Sequence, residues 1–176
     1  VYSGGADSYA RQWEADTGQE VAEFYADSRE IYGLAVSPDG RLLALGLHDG
    51  EIAVWDTQQN AKILTLTGHA GINSRLAFSQ DGTRLASANF DSLAKVWDIQ
   101  SGQELFSLYG NTSNIFGVAF NPDESRLATV GGDGTLRIFT MDMNELVALA
   151  RSRLTRTLTE AECQKYLHLE QCPTWP

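Results

Sequence analysis

The chain has 176 residues, enough for one domain with an extension, and its 43% hydrophobic content is ordinary for a globular protein with a buried core. Thirteen lysines and arginines stand against 23 aspartates and glutamates, which gives a net charge of −10. A field of that sign repels phosphate backbones and anionic lipid surfaces. We therefore expect neither nucleic acid nor a membrane among the partners of this protein.

The two ends of the chain add three expectations. No apolar run is long enough to cross a membrane and no secretory pattern opens the sequence, so we expect a soluble, cytoplasmic protein. The chain starts at Val1 without an initiator methionine and in the middle of a repeating pattern, so we expect further residues upstream. Cys163 and Cys172 are too few for a disulfide scaffold; they could bridge locally, but reduced packing thiols are favoured.

Residues 1–140 contain an internal repeat with a constant period of 42 residues. Its marks are an aromatic residue and an aspartate six residues before it. The aromatic residues are Trp13, Trp55, Trp97 and Phe139, and the aspartates are Asp7, Asp49, Asp91 and Asp133. A period of roughly 40 to 45 residues is typical of β-propeller blades.

One copy of the repeat shows its predicted elements. Three short β-prone runs are Leu76–Ser79, Arg84–Ser87 and Ala94–Trp97, and Gln103–Leu108 supplies a fourth. Turn residues separate the runs, as in Ser79-Gln-Asp-Gly82 and Gln100-Ser-Gly102. Each unit is therefore predicted to be a four-stranded meander.

We predict two complete blades, a first blade without its inner strand and a last blade without its outer strand. Their predicted bounds are 1–25, 31–67, 73–109 and 115–140. These units cannot close a ring, and open sheet edges are sticky, so we expect upstream blades or a second copy of the chain to complete it. After Met141 the pattern becomes helical, with N-cap signals at Asp142 and Thr159, and we predict a helical tail over 141–176 that docks on the propeller.

Several motifs resemble a family. Gly68-His69, Ser79-Gln-Asp-Gly82, Leu85-Ala-Ser87, Asp91 and Val96-Trp97-Asp98 resemble a WD40 repeat, and Val54-Trp55-Asp56 carries the same signature. The resemblance covers residues 1–140 and implies an all-β fold, a portion of a WD40 β-propeller. The tail around Leu158–Pro173 resembles the C-terminus of large bacterial WD40 proteins that carry a signalling NTPase (STAND-type) or kinase domain upstream.

The WD40 resemblance implies that His69, Ser87, Asp91 and Trp97 form a structural hydrogen-bonded tetrad. A closed network of buried polar groups satisfies all its members and fixes one packing, so we interpret the set as structural rather than as a catalytic triad. Other copies carry it imperfectly, and we expect them to depend more on packing. Asp27 and Asn111 stand at the His position, and Leu45 and Thr129 at the Ser position.

Catalysis and metal binding are not predicted. A carboxylate repeated once per blade, as at Asp7, Asp49 and Asp133, indicates architecture rather than acid–base chemistry. The histidines are scattered, no nucleophile motif is present and the glycine-rich turns lack a phosphate-loop lysine, so we expect no metal, no cofactor and no enzyme. A site in the channel that borrows residues from other blades is a weaker alternative.

Binding residues of a propeller should lie on its rim and break the repeat, because the blades themselves only build a frame. The variable rim positions of the WD40 pattern are Glu30, Tyr32, His48, Ile72, Ser74, Phe90, Asn114 and Phe116. Exposed aromatic residues favour protein binding, although some could pack between blades. We predict a non-catalytic protein-binding or sensing scaffold at the C-terminus of a bacterial signalling protein; the alternative is a structural element that completes a ring by dimerisation.

Overall fold

The computed structural model describes residues 1–27 and 29–153. Within them the chain forms four antiparallel sheets. The first contains β1 (Tyr2–Gly4), β2 (Tyr9–Trp13) and β3 (Glu20–Tyr25). The second contains β4 (Ile31–Val36), β5 (Leu42–Leu47), β6 (Ile52–Asp56) and β7 (Ala61–Leu66). The third contains β8 (Asn73–Phe78), β9 (Arg84–Asn89), β10 (Ala94–Asp98) and β11 (Glu104–Leu108). The fourth contains β12 (Ile115–Phe120), β13 (Arg126–Gly131) and β14 (Leu136–Thr140).

The repeating aspartate builds the same turn in every sheet. Its Oδ1 accepts a hydrogen bond from the backbone N–H two residues later, at 3.2 Å for Asp7 and Asp49 and at 3.0 Å for Asp91 and Asp133. The residue between donor and acceptor adopts a positive φ in each case. These residues are Ser8 (70°), Gly50 (91°), Ser92 (70°) and Gly134 (74°). The carboxylate therefore holds a left-handed turn that two of the four copies form without a glycine.

The hydrophobic core lies between successive sheets. One cluster joins the first and second sheets through residues such as Phe24 and Leu45, and another joins the second and third through Ile52 and Trp97. A third cluster joins the third and fourth sheets, with Val96 at 0% exposure. Each sheet is thus one blade stacked on the next, and the predicted all-β propeller portion is confirmed.

The fourth sheet leaves one apolar face open. Leu136 and Ile138 are 62% and 64% exposed, whereas the residues 42 positions earlier, Ala94 and Val96, are fully buried against the next sheet. The positions 84 residues earlier, Ile52 and Val54, are also at 0% exposure. This face therefore has the composition of a contact between blades.

A second compact unit begins at Asp142. Its helix α1 spans Met143–Arg153, and the carboxylate of Asp142 accepts the backbone N–H of Asn144 at 2.8 Å, as an N-cap residue does. The predicted second helix, Cys163 and Cys172 lie outside the described residues, and docking of the tail stays a prediction. The helix of the described part is too short and too polar to span a bilayer.

Candidate functional site

The third sheet contains a closed polar network. Trp97 Nε1 donates to Ser87 Oγ at 2.9 Å, Ser87 Oγ lies 2.7 Å from His69 Nε2, and His69 Nδ1 lies 2.8 Å from Asp91 Oδ2. Since the Asp91 carboxylate only accepts hydrogen bonds, the neutral imidazole carries its proton on Nδ1, and its Nε2 accepts the hydrogen bond that Ser87 donates. The four residues assigned to the tetrad are thus in direct contact as one chain of donors and acceptors.

Burial controls the protonation of this network. The His69 side chain is completely buried, and this burial lowers the pKa of His69 despite the opposing effect of Asp91. Burial alone would raise the pKa of Asp91, but hydrogen bonds from Ala70 N–H and His69 outweigh it and leave that pKa lowered. A neutral imidazole therefore faces a charged carboxylate at neutral pH. The tetrad has no solvent-exposed nucleophile. It connects the loop before β8 to the turn before β10.

The network extends to an ion pair that sequence analysis missed. Lys95 lies 5.7 Å from the centre of the Trp97 ring and pairs with Glu104 at 2.5 Å. A cation also stands two residues before the repeated aromatic at Arg11 and Arg137, which was the available signal. This second layer covers the indole with the alkyl stem and charge of a lysine.

The second sheet lacks this hydrogen-bonded network. Leu45, at 0% exposure, occupies the Ser87 position, and the buried Nε1 of Trp55 has no hydrogen-bond partner within the described residues. Asp27, at the His69 position, turns to Lys62 and pairs with it at 2.5 Å. This sheet is held by apolar packing around Leu45, as the sequence led us to expect.

The first and fourth sheets form partial networks. Trp13 Nε1 donates to Ser3 Oγ at 2.8 Å, while Asp7 pairs with Arg11 at 2.7 Å. In the fourth sheet Arg137 contacts Asp133 at 2.9 Å and Asn111 at 3.1 Å. In the fourth sheet an arginine thus stands in for the missing imidazole, in addition to the packing that the sequence led us to expect.

In each of the second, third and fourth sheets one backbone hydrogen bond aligns the rim positions. His48 N–H donates to Glu30 O at 3.1 Å, and the equivalent bonds are Phe90 to Ile72 at 3.0 Å and Gly132 to Asn114 at 2.8 Å. The predicted rim residues therefore meet in pairs across the first strand and the turn that precedes the third strand. Their side chains share one edge of each sheet.

In the second, third and fourth sheets a β-bulge in the first strand places one of the rim side chains outside the regular strand pairing. The register of the first strand shifts between Ile31 and Gly33, between Asn73 and Arg75, and between Ile115 and Gly117. The bulged residues are Tyr32, Ser74 and Phe116. A bulge re-aims a side chain out of the ladder, and Tyr32 and Phe116 are 50% and 54% exposed.

The structure separates the eight rim residues into different environments. Phe90 and Phe116 form a T-shaped pair with centroids 5.5 Å apart, beside the partly buried Ile72 and Asn114. Ser74 instead donates to the carbonyl of Ile115 in the next sheet at 2.6 Å, which gives it a structural partner. Glu30, Tyr32 and His48 are exposed together on the second sheet.

The rim of the second sheet borders a cavity of about 260 Å³, here called the acidic rim cavity. It is lined by Arg29, Glu30, His48 and Asp49. Arg29 lies 3.2 Å from Asp49 and also pairs with Glu51, and sequence analysis did not identify it. Within 1–27 and 29–153, no group of His, Cys, Asp or Glu side chains is arranged to hold a metal ion.

Four stacked antiparallel sheets with a repeated turn carboxylate and an aligned rim define a repeat protein of the β-propeller class. The family model "WD domain, G-beta repeat" matches residues 18–56, 60–98 and 102–140, more than half of the chain. The chain belongs to the WD40 repeat family. WD40 repeats are generally non-catalytic scaffolds that mediate protein–protein interactions.

Curated relatives match short stretches. A stretch of 66 residues is 38% identical to Transcription factor unc-37 of Caenorhabditis elegans. This stretch covers 38% of this chain and 11% of that protein. Another of 57 residues is 39% identical to Guanine nucleotide-exchange factor SEC12 of Rattus norvegicus, 32% of this chain and 13% of that protein. Transducin-like enhancer protein 2 of Mus musculus is 37% identical over 68 residues, 38% of this chain and 9% of that protein. The chain thus matches only a small part of each relative's length.

Proposed function

We propose that this chain is a protein-interaction or sensing scaffold that presents its rim to a protein partner. The observation that carries the proposal is the repeated β-bulge, because it projects Tyr32 and Phe116 toward solvent at equivalent positions of different blades. Exposed aromatic rings supply large contact areas at low conformational cost and are enriched at binding hot spots. The tetrad lies in the third sheet, between the two blades that present these rings.

The test compares two doubly substituted chains as bait. Phe90→Ala with Phe116→Ala removes the aromatic pair, and Ile63→Ala with Leu105→Ala removes similarly exposed aliphatic residues, 51% and 44%, from the outer strands. Quantitative capture from a cell extract identifies proteins retained by the unmodified chain. Each is then purified and its Kd measured. We expect the rim variant alone to weaken binding; partners lost equally with both variants, or only with the outer-strand variant, would refute a rim site.

The wider setting is part of the same proposal. We place the chain in the cytoplasm, as the C-terminal WD40 domain of a larger bacterial signalling protein whose effector is an NTPase or kinase domain upstream. The support is the resemblance of the tail around Leu158–Pro173 to such proteins, together with a net charge that disfavours lipid and nucleic-acid partners. Expression of the full-length gene product and assay of its nucleotide hydrolysis with and without residues 1–176 tests this setting.

A second candidate function is self-assembly, in which blades of another copy complete the ring. The exposed face with Leu136 and Ile138 favours it, since equivalent residues elsewhere are buried between blades. Light scattering after size-exclusion chromatography measures the mass of the chain, and Ile138→Glu should dissociate an assembly that uses this face. A monomer whose partner binding depends on Phe90 and Phe116 supports the rim function; loss of assembly in the Phe90→Ala, Phe116→Ala variant supports self-assembly.

A further inference from the structure

The second sheet has lost its tetrad, and this loss changes the rim above it. In the third sheet the carboxylate of the turn aspartate Asp91 accepts hydrogen bonds from the His69 ring and from the backbone N–H of Ala70. In the second sheet the residue at the His69 position is Asp27, whose charge is the same as that of the turn aspartate Asp49. Two carboxylates cannot replace an aspartate–histidine pair, so Asp27 pairs with Lys62 and Asp49 stays 45% exposed at the rim.

The result is an excess of negative charge at one place on the rim. Three carboxylates stand here against the single positive charge of Arg29. They belong to Glu30, Asp49 and Glu51. Arg29 contacts Asp49 and Glu51, whereas the polar contact of the Glu30 carboxylate is a hydrogen bond from the Tyr32 hydroxyl at 2.8 Å. Glu30 lines the acidic rim cavity, and its other carboxylate oxygen receives no hydrogen bond from the described residues.

Two rings stand beside this carboxylate. The centroids of Tyr32 and His48 are 6.0 Å apart with planes tilted by 44°, and both side chains are exposed. The Glu30 carboxylate fixes the phenol and raises the pKa of Tyr32, so the ring stays neutral and electron-rich. Aromatic faces next to carboxylates attract a cation twice, through the ring quadrupole and through the charge.

Resting on the proposed rim function, we propose that the acidic rim cavity recognises an arginine or lysine side chain of the protein partner. A cavity of about 260 Å³ accepts one long basic side chain. Its head group pairs with Glu30, the lining carboxylate that Arg29 does not contact, and its alkyl stem lies against Tyr32 and His48. The rim part with Phe90 and Phe116 has an aromatic pair beside the uncharged Ile72 and Asn114, so a partner would present a basic residue to one blade and an apolar residue to another.

The test uses small probes on the ¹⁵N-labelled chain 1–176. The amide of N-acetyl-arginine is titrated by NMR, and the amide of N-acetyl-citrulline is its neutral isostere. We expect the arginine probe to shift the amide signals of Tyr32, His48 and Asp49, the shifts to weaken with added salt, and the citrulline probe to shift them much less. Equal shifts with both probes, or shifts confined to other parts of the chain, would overturn the proposal.

Two matched variants separate a local site from the general acidity of the protein. Glu30→Gln removes the free carboxylate, and Glu14→Gln removes one exposed charge away from the cavity. We expect Glu30→Gln to raise the Kd of the arginine probe by about fivefold, the upper end for an exposed ion pair, and Glu14→Gln to leave it within error. Equal effects would show that only net charge matters.

The outcomes for the two proposals are distinguishable. If Phe90→Ala with Phe116→Ala abolishes partner binding but Glu30→Gln does not change it, the rim function stands and the basic-residue site fails. If neither variant changes partner binding while the arginine probe still binds at Tyr32, the rim function fails and the cavity is a site for a free cationic ligand instead of a partner's side chain, which also contradicts the proposal.

Discussion

The second and third sheets share their register, their turns and their bulges, yet they are stabilised by different interactions. In the third sheet a hydroxyl, an imidazole and a carboxylate form a buried chain beneath Trp97. In the second, Leu45 fills the place of the hydroxyl, and the indole N–H of Trp55 has no partner in the part of the chain that the structure describes. The blade geometry therefore does not require the tetrad. It requires the Asx turn and the buried strands, which both sheets have.

The two sheets also differ in the charge at their rims. The third sheet uses its turn aspartate internally, and its rim is apolar around Phe90. The second sheet has no imidazole to engage Asp49, and its rim carries exposed charge. In this blade the absence of the tetrad therefore coincides with exposed carboxylates at the rim.

The largest effect should come from transferring the leucine of the second sheet into the third, as Ser87→Leu. The change removes the hydrogen-bond partner of His69 Nε2 and of Trp97 Nε1 and adds volume to a site at 0% exposure. We expect the free energy of unfolding to fall by about 3 to 6 kcal/mol, from lost partners and overpacking. Denaturant unfolding measures it. Ser87→Ala adds no volume and should lose less; equal losses would contradict the overpacking contribution.

The reverse exchange gives the next largest effect. Leu45→Ser and Leu45→Ala both remove buried methyl groups, which costs about 2 to 5 kcal/mol. Only the serine offers Trp55 Nε1 an acceptor, as Ser87 does for Trp97 at 2.9 Å. We expect Leu45→Ser to be more stable than Leu45→Ala by about 1 kcal/mol. Calorimetric melting of both variants tests this, and the opposite order would show that the hydroxyl does not reach the indole.

A smaller effect is expected from pH, because only the third sheet has a buried histidine whose protonation changes the free energy of unfolding. Burial lowers the pKa of His69 in the folded state, so below about pH 6.5 the unfolded chain binds a proton before the folded chain does. Stability is complete above that pH and is lost as the pH falls toward the folded-state pKa. Unfolding curves between pH 7.5 and 5.5 should show this decline. It should be smaller in His69→Asn and unchanged in His48→Gln, whose imidazole is exposed.

The smallest effect concerns the ion pair that substitutes for the tetrad in the second sheet. Asp27 and Lys62 are both substantially exposed, 50% and 36%. A double-mutant cycle with Asp27→Ala and Lys62→Ala should give a coupling of about 0 to 1 kcal/mol that vanishes in high salt. A larger coupling would mean that the ion pair stabilises the second sheet substantially, and that this sheet does not depend on apolar packing alone.

Sequence reasoning captured the repeated parts of the molecule because each repeats every 42 residues. The aspartate turns and the strand pattern follow from residue type and spacing. The tetrad of His69, Ser87, Asp91 and Trp97 followed from the resemblance to WD40 repeats. The substituted networks were harder to predict. Arg137 replaces an imidazole in the fourth sheet, and Lys95 covers the indole in the third, because long side chains reach partners that spacing does not specify.

Length, charge and period by themselves determined that the chain is an acidic stack of β-blades, since local turn chemistry and strand alternation repeat with the sequence. Only the tertiary structure decided which rim residues are available. The bulge exposes Tyr32 and Phe116, while the same bulge brings Ser74 against the carbonyl of Ile115 in the neighbouring sheet. Such contacts join residues 41 positions apart, and whether a side chain meets a neighbouring blade or water depends on that packing.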